Sequence, residues 1–255
     1  MLQNRVVVVT GAGGGIGAGT AEILAEKGAK LVLADFNRDA LDAVTARLSA
    51  YPVITVDGDI TDIDHIDQLV HTAVDKYGRI DGWVNNAGMI NLSSAFDLSS
   101  DEARRELNVN VVATLECAKA AARQFIAQGG GGRIVNVASN AGKAGYPNMV
   151  MYNASKAAVI SLTRTLAAEW APDGINVNAV CPGGVNTPML RRVAESIATR
   201  THEDVEQLLS TMHPSQLGRH ITTSEIGATI AFLLSDAAAI IRGQSINVDG
   251  GDTPY

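Results

Sequence analysis

Short runs of β-branched and apolar residues recur along the chain and alternate with stretches whose apolar residues have helical spacing. The runs occupy residues 5–10, 30–34, 53–56, 82–85, 133–138, 175–180 and 245–248, with Gly, Asp, Asn or Pro nearby. Helical spacing marks residues 18–27, 64–77, 101–127, 152–170 and 224–234. Alternation of this kind implies βαβ crossovers, so it predicts an α/β fold with a parallel sheet of about seven strands and helices on both faces.

The chain is predicted to form a single domain, 1–255. Its 255 residues, of which 46% are hydrophobic, can bury one large core without a second domain. Four consecutive glycines at 129–132 could mark a linker, but the alternation continues across them, so we interpret them as a turn. The segment 186–221 has no strand pattern and mixes apolar with charged residues. An insertion of this length predicts a helical lid over a substrate site.

The charge and composition of the chain limit the classes of partner that it is expected to bind. A net charge of -7 without a block of Lys or Arg gives no electrostatic footprint for nucleic acid or an anionic membrane, so a small-molecule partner is favoured. Neither a signal peptide nor an apolar run long enough for a bilayer is recognisable, and we expect a cytoplasmic protein. Cys117 and Cys181 lie far apart in apolar segments and are expected to be small buried hydrophobes.

Metal chemistry is not supported by the sequence. The histidines form no compact ligand motif with the cysteines, so we expect no metal site. Surface or lid positions are expected for the five histidines, His65, His71, His202, His213 and His220.

A glycine-rich loop follows the first predicted strand and precedes a helix. It has the sequence Thr-Gly-Ala-Gly-Gly-Gly-Ile-Gly at residues 10–17. Such a loop lets backbone amides approach a pyrophosphate, and the helix N-terminus adds a partial positive charge. The pattern alone would fit a structural turn equally well, but the flanking strand and helix favour dinucleotide binding. The predicted contacts are Gly11, Gly14, Gly15, Ile16 and Gly17.

Asp35 ends the second predicted strand, where a carboxylate can accept hydrogen bonds from an adenosine ribose diol. A 2′-phosphate would meet the same carboxylate with like charge. Phe36 follows Asp35, and the glycine loop carries no Arg or Lys, so the sequence favours NAD over NADP, with Arg38 as the one reservation. The alternative for Asp35 is an ordinary turn or helix-capping residue.

Two further sets of residues follow strands and should lie at the carboxyl edge of the sheet, where open α/β sheets bind ligands. Asp59 and Ile60 follow the third strand, and Asn86, Ala87 and Gly88 follow the fourth. Each is a candidate cofactor contact. Asp59 could equally cap the next helix, and the asparagine could simply tolerate unusual turn dihedrals.

Tyr152 and Lys156 are four residues apart and therefore share one helix face. A phenol ordinarily keeps its proton to a pKa of about 10, and a nearby cation lowers that value. Lys156 could thus convert Tyr152 into an acid/base for proton transfer. Taken alone, the spacing also occurs by chance on many helices.

Together these motifs resemble the short-chain dehydrogenase/reductase family over nearly the whole chain. The motifs that carry the resemblance are residues 10–17, Asp59, residues 85–88, Ser139 with Tyr152 and Lys156, and Pro182-Gly183 followed by Thr187. The resemblance implies a Rossmann-type doubly wound fold and hydride transfer between nicotinamide and an alcohol or carbonyl. It also implies that Tyr152 is the proton donor or acceptor and that the protein is a homotetramer.

The resemblance assigns roles to the other site residues. Ser139 corresponds to the serine that bonds the substrate oxygen, although a strand-end turn serine is the alternative. Asn110 corresponds to the asparagine that holds a water linking Lys156 to solvent, with Asn108 close enough to compete. Lys156 is also implied to hold the nicotinamide ribose, its alternative being a solvated helix lysine. Contacts to the nicotinamide carboxamide fall to Pro182, Gly183, Val185 and Thr187.

The substrate pocket is expected between residues 141–151 and 185–212. Asn140, Asn148 and Met189 are plausible contacts, although a loop or packing role is favoured for each. A further hypothesis is that the tail at 250–255 lies near a neighbouring subunit's site.

The leading hypothesis is an NAD(H)-dependent oxidoreductase that acts on a secondary alcohol, polyol or sugar, or on the matching ketone. A second enzymatic hypothesis is reduction of a 3-oxoacyl thioester, against which Asp35 argues because NADP would be the expected cofactor. A nucleotide-sensing or scaffold protein is the non-enzymatic alternative, and it would be indicated by loss of Tyr152, Lys156 or Ser139.

Overall fold

A computed structural model describes residues 2–253, and its centre is a sheet of seven parallel strands in the order β3-β2-β1-β4-β5-β6-β7. This strand order, with apolar cores on both faces of the sheet, confirms the predicted doubly wound fold. The strands are β1 Val6–Thr10, β2 Lys30–Asp35, β3 Val53–Asp57, β4 Gly82–Asn85, β5 Gly132–Val137, β6 Ile175–Pro182 and β7 Ser245–Val248.

Helices connect the strands and cover both faces of the sheet. They are α1 Gly15–Glu26, α2 Arg38–Arg47, α3 Ile63–Tyr77, α4 Ser100–Leu107, α5 Ala113–Ala127, α6 Val150–Glu169, α7 Pro188–Thr201, α8 Val205–Thr211 and α9 Thr223–Leu233. Because all seven strands are parallel, their carboxyl ends lie at one edge of the sheet.

Two apolar cores lie on the two sides of the sheet. In β1 the side chains of Val7 and Val9 enter the core under α1, α2 and α9, whereas Val8 enters the core under α3, α5 and α6. All three are essentially inaccessible to solvent. Burial of a valine contributes about 1.5 to 3 kcal/mol, which explains why a run of valines forms the central strand of a sheet covered on both sides.

The helix predicted over 101–127 is present but is interrupted by a π-helical segment, Asn108–Val112, between α4 and α5. Asn110 is the buried residue of this segment. Single π turns inside α-helices occur often at functional sites, because the wider turn redirects the side chains around it. A periodicity of 3.6 residues does not reveal such a turn.

The predicted strandless insertion contains α7 and α8. Its two ends are joined by an isolated parallel bridge between Val185 and Ile221, and the Asn186 N–H donates to the Ile221 carbonyl at 3.0 Å. Arg191 on α7 forms an ion pair with Glu206 on α8 at 2.9 Å. The insertion is therefore helical, and its two ends lie side by side where it leaves and rejoins the rest of the domain. Its function as a lid stays a prediction.

The residues after β7 return to this insertion. Gln216 donates from its side-chain amide to the Gly251 carbonyl at 2.9 Å. Of the tail at 250–255, the last two residues, Pro254 and Tyr255, lie outside the described residues.

Cys117 and Cys181 are buried free thiols, as expected. The expectation for His65 is wrong, because this side chain is buried on the inner face of α3. It fits there because Gly58 has no side chain: a Cβ on Gly58 would lie 2.3 Å from His65 Nδ1.

Among residues 2–253 there is no group of three or more His, Cys, Asp or Glu side chains that could hold a metal. Nor does that part of the chain contain a helix long and apolar enough to cross a membrane.

Candidate active site

The glycine loop is held by its own backbone and by Asn86. Gly11 has a positive φ of 63°, and a Cβ at Gly17 would lie 2.0 Å from the Gly11 carbonyl oxygen. The Asn86 side-chain amide donates to the carbonyls of Thr10 at 3.0 Å and Gly11 at 2.8 Å. The glycines at 11 and 17 are therefore required by a tight loop that is bonded to the segment after β4.

The start of α1 has the features of an anion site. Gly14 is the N-cap residue, and no side chain of the described residues caps this end or places an acidic group in its first turn. A Cβ built on Gly14 would meet no described atom within 4 Å, so the space above the loop is open. Free amides at a helix N-terminus attract phosphate groups. The residues present therefore fit the pyrophosphate of a dinucleotide.

Asp35 lies beside the loop at the end of β2. Its carboxylate accepts hydrogen bonds from the backbone N–H groups of Gly13 at 2.9 Å and Asn37 at 3.0 Å. Arg38, the reservation against NAD, is occupied by two acidic groups: its guanidinium pairs with Asp42 at 3.1 Å and Asp57 at 2.8 Å. The region beside Asp35, where a 2′-phosphate would lie, thus contains three carboxylates, those of Asp35, Asp42 and Asp57, around the one guanidinium of Arg38.

Asp59 and Ile60 follow β3 at the same edge. One oxygen of Asp59 accepts from the backbone and the hydroxyl of Thr61, both at 2.8 Å. The N-cap of α3 is Asp62, whose side chain accepts from the Asp64 N–H, so Asp59 is not the helix cap. Ile60 is buried beside it. Asp59 therefore shapes the turn with one oxygen, and its contact with a cofactor stays a prediction.

Ser139, Tyr152 and Lys156 come together at the carboxyl end of β5. Ser139 directly follows the strand, and its Oγ accepts from the Ala141 N–H at 3.1 Å. Lys156 is buried, donates from Nζ to the Val137 carbonyl at 2.9 Å, and has its Nζ 5.6 Å from the centre of the Tyr152 ring. The predicted hydroxyl, phenol and ammonium groups thus occupy one site.

The proton affinities differ from the expectation that Lys156 lowers the pKa of Tyr152. Burial raises the pKa of Tyr152 to about 12, against the effect of a hydrogen bond with Ser139 and with a further rise from the charge of Glu106. Burial also lowers the pKa of Lys156 to about 8. The pKa of Tyr152 is therefore raised overall in the protein alone, because burial disfavours the charged phenolate. Tuning of Tyr152 by Lys156 stays a prediction.

Asn110 is the buried asparagine of the π-helical segment, whereas Asn108 is exposed, which decides between the two candidates. Its side chain accepts from the Met89 N–H at 2.8 Å and donates to the Met89 carbonyl at 2.9 Å and to Ser155 Oγ at 3.0 Å. A Cβ on Gly88 would lie 3.2 Å from Asn110 Oδ1 and 3.5 Å from Lys156 Nζ. Asn110 therefore ties the segment after β4 to the helix of Tyr152. Its role in holding a water stays a prediction.

The sequence reasoning missed Glu106, which is buried in the last turn of α4. Its Oε1 accepts from the Asn91 N–H at 3.3 Å. Glu106 lies four residues before Asn110, and its charge acts on both Tyr152 and Lys156. The helical spacing from Asn110 is a signal that could have indicated an inward-facing carboxylate.

The segment after β6 closes the site on another side. β6 ends at Pro182, and a Cβ on Gly183 would lie 2.9 Å from the Asp249 side chain. Thr187 caps the N-terminus of α7, and its methyl group would lie 3.5 Å from a Cβ on Gly15. The predicted carboxamide contacts and the glycine loop are therefore neighbours.

Polar side chains lie next to Ser139. Asn140 is buried and donates from its side-chain amide to the Tyr146 hydroxyl at 2.9 Å. Asn148 has a positive φ of 62°, which identifies it as a turn residue, and Met189 is half-buried in the first turn of α7. Of the three plausible substrate contacts, Asn140 is thus the one that lies directly beside Ser139.

Comparison with known proteins agrees with this geometry. A family model described as Enoyl-(Acyl carrier protein) reductase matches residues 11–253. The chain is 37% identical to an NAD-dependent glycerol dehydrogenase of Listeria innocua serovar 6a, covering 99% of this chain and 95% of that protein. It is 36% identical to a meso-2,3-butanediol dehydrogenase of Serratia marcescens, covering 99% and 96%.

Solved structures are similar over the same length. NAD+-bound xylitol dehydrogenase has a TM-score of 0.91 at 36% identity, covering 98% of this chain and 99% of that one. Actinorhodin polyketide ketoreductase with NADPH has a TM-score of 0.94 at 31% identity, covering 99% and 98%. The relatives thus include proteins named for either nicotinamide cofactor.

Proposed function

Because the chain belongs to the short-chain dehydrogenase/reductase family and is an oxidoreductase of CH–OH groups, we propose that it interconverts a vicinal diol or polyol and the matching hydroxyketone with NAD(H). The observation that carries the proposal is the position of Ser139, Tyr152 and Lys156 in one site beside the glycine loop. This arrangement places a proton acceptor next to the expected position of a hydride acceptor.

Each residue has a distinct task in oxidation. A bound nicotinamide supplies the hydride acceptor. Tyr152, as phenolate, takes the hydroxyl proton while the C–H bond breaks, and the reverse step makes it the proton donor in reduction. Ser139 donates a hydrogen bond to the reacting oxygen and stabilises the negative charge that develops there. Lys156 favours the phenolate electrostatically and would hold the ribose hydroxyls.

NAD is the proposed cofactor because of the charges beside the glycine loop. The Asp35 carboxylate is held in place by two backbone amides, so it can accept from ribose hydroxyls and repel a 2′-phosphate. Arg38 is already paired with Asp42 and Asp57. Two relatives whose names include NAD, the glycerol dehydrogenase and the xylitol dehydrogenase, support NAD as the cofactor.

The proposed substrate class rests on the pocket wall and on the relatives. Asn140 and Tyr146 form a neutral hydrogen-bonding pair next to Ser139, which suits a second hydroxyl on the carbon beside the reacting one. Glycerol, butanediol and xylitol, named in three of the relatives, all carry such a hydroxyl. The helical insertion at 186–221 would cover this pocket as a lid. Reduction of a 3-oxoacyl thioester is the second candidate, supported by the similar ketoreductase structure.

A homotetramer in the cytoplasm completes the proposal. Val112, Ile126 and Val150 are 44% to 51% exposed on the helices outside the sheet, where a second subunit could cover them. The two free thiols, Cys117 and Cys181, are consistent with a reducing compartment. Sedimentation tests the oligomer, and cell fractionation tests the location.

The function is tested by assaying the purified protein with NAD and 2,3-butanediol, glycerol and xylitol, with 3-oxoacyl thioesters as the reductive comparison. We expect turnover of at least one diol or polyol. Tyr152→Phe should lower kcat by about 10²-fold to 10⁴-fold and leave the Kd for NADH within a few-fold of the original. Tyr51→Phe, an exposed tyrosine, is the matched control. Normal turnover by Tyr152→Phe contradicts the mechanism.

A further inference from the structure

Glu106 is a carboxylic acid with no solvent-exposed surface, although the rest of α4 is exposed or half-buried. Moving a carboxylate out of water is unfavourable unless charges or hydrogen bonds replace the water. Oε1 receives one long hydrogen bond, from the Asn91 N–H at 3.3 Å. Oε2 is buried and has no hydrogen-bond partner within residues 2–253. Glu106 is therefore buried with a hydrogen bond to one of its two carboxylate oxygens and none to the other within residues 2–253.

Its surroundings link Glu106 to the catalytic site. Burial raises the pKa of Glu106, whereas the hydrogen bond from the Asn91 N–H in the segment after β4 and the charge of Lys156 lower it. The charge of Glu106 in turn raises the pKa of both Tyr152 and Lys156 on α6. Asn110 lies one turn further along the same helical face. Among the ion pairs of the described residues, none joins Glu106 to Lys156, whose Nζ bonds the Val137 carbonyl. The carboxylate and the ammonium thus share one buried region without touching.

The other ionisable groups around the site are few. On its own helix, Glu102 is exposed in the capping box with Ser99, and its side chain also bonds Asn91. From β6, Cys181 acts on Lys156, and burial raises the pKa of that thiol, so it stays neutral near pH 7. Among residues 2–253, Lys156 is the cation whose charge acts on Glu106.

A purely structural role would be to hold the Asn91 N–H. A glutamine could accept that bond equally well, without the expense of burying a charge. The second oxygen of Glu106 contributes nothing to the segment after β4. The negative charge therefore needs another explanation, and the groups available to it are Tyr152 and Lys156.

We propose that Glu106 is the buried counter-charge of the catalytic pair, a positioning residue that keeps the active site electrically neutral on both sides of the reaction. The inference rests on the proposed function. It adds a residue that touches neither substrate nor cofactor but sets when Tyr152 can be a phenolate.

The charges can be counted through one turnover. Before oxidation the site contains Glu106 and the Tyr152 phenolate, each negative, with Lys156 and the oxidised nicotinamide ring, each positive. With the cofactor bound, oxidation would break the C–H bond with transfer of its hydride to the nicotinamide and break the O–H bond with transfer of its proton to Tyr152. Afterwards the ring and the phenol are neutral, and Glu106 still balances Lys156. Without Glu106 the site would carry an uncompensated positive charge in both states.

The charges of these groups also predict how Tyr152 behaves when no nicotinamide is bound. With no nicotinamide bound, Glu106 and Lys156 already balance, so a phenolate would add an unpaired negative charge. The direction of the shifts agrees, because the charge of Glu106 adds to the burial that raises the pKa of Tyr152. Binding of the oxidised ring removes this barrier. Tyr152 therefore becomes a base mainly when a hydride acceptor is present.

The test is Glu106→Gln, which removes the charge and keeps the shape. Because the carboxylate attracts the cationic ring but not the reduced one, the ratio of Kd for NAD+ to Kd for NADH should rise about fivefold or more. A structural defect would weaken both nucleotides alike. In turnover, the acid limb of the kcat profile for oxidation should move down by about one pH unit, because Tyr152 loses a nearby negative charge.

Three further variants secure the interpretation. Glu106→Asp keeps the charge and should keep the Kd ratio. Glu106→Met removes charge and polarity at similar volume, so it replaces Glu106→Gln if that variant does not fold, with the same expected change. Asp101→Asn, in the first turn of α4 and exposed, should leave the ratio and the profile unchanged. An unchanged ratio and acid limb in a folded Glu106→Gln or Glu106→Met protein overturns the proposal. The binding ratio needs no turnover, so it is separate from the Tyr152→Phe test of the function itself.

Discussion

Asp35 is proposed to select NAD, and Asp35→Asn tests that proposal more cleanly than a change to alanine. The carboxylate accepts from the N–H groups of Gly13 and Asn37, so alanine would leave both amides without a partner and disturb the glycine loop. Asparagine keeps one oxygen to accept one of these bonds and removes the charge. A change in cofactor preference can then be assigned to electrostatics.

The expected magnitude has two parts. For NAD, hydrogen bonds from ribose hydroxyls to a charged acceptor contribute about 1.5 to 3 kcal/mol, of which an amide oxygen retains part. For NADP, a 2′-phosphate about 5 Å from a carboxylate is repelled by about 3 kcal/mol at an effective dielectric constant of 20, and solvent at this partly exposed rim reduces that value. We take about 3 kcal/mol in total, which is roughly a 100-fold narrowing of the NAD preference.

The measurement is kcat/KM for both cofactors at one saturating substrate concentration, with the original protein and Asp35→Asn. In Asp35→Asn, kcat/KM for NAD should fall and kcat/KM for NADP should rise. Asp39→Asn, an exposed carboxylate in the first turn of α2, is the matched control and should change neither. If Asp35→Asn lowers both values by the same factor, the residue supports the loop and the charge argument is refuted.

Two other predictions concern the glycine loop and the insertion. Gly17→Ala should lower the free energy of unfolding by about 1 to 3 kcal/mol and weaken NADH binding, because its Cβ would lie 2.0 Å from the Gly11 carbonyl oxygen. Gly14→Ala, whose Cβ meets no described atom within 4 Å, is the control for thermal unfolding. Shortening residues 199–216 should raise the substrate KM more than the Kd for NADH, and an equal loss of both would argue against a lid.

The strands were predictable because a parallel sheet covered on both sides demands continuous apolar runs. Each predicted strand is present with ends that differ by no more than two residues. α2 was not assigned from its spacing. In this helix only Leu41 and Val44 are buried, so the rest of its surface carries charged residues and gives a weak periodic signal. Its N-cap, Asn37, was the local signal available.

The residues of the candidate site were predictable where they lie at strand ends or at fixed spacing, as with Ser139, Tyr152 and Lys156. His65 shows the limit of such reasoning. A histidine is polar enough to be expected at the surface, but it can be buried where a glycine opposite, here Gly58, leaves room for its ring. That room depends on how α3 approaches the end of β3, which no local pattern contains.

The proton affinity of Tyr152 is the clearest case in which two neighbouring residues do not determine the chemistry. Spacing placed a cation beside a phenol and predicted a lowered pKa, yet burial and the charge of Glu106 raise it. In water an added cation is a small correction, whereas in a buried site the balance of all charges decides which groups can ionise. In the proposed mechanism Lys156 and Glu106 balance each other, so the charge that makes Tyr152 a base comes with the oxidised cofactor. The proposal thereby couples proton abstraction to the presence of a hydride acceptor. The π-helical segment that follows Glu106 holds Asn110 against the same helix as Tyr152.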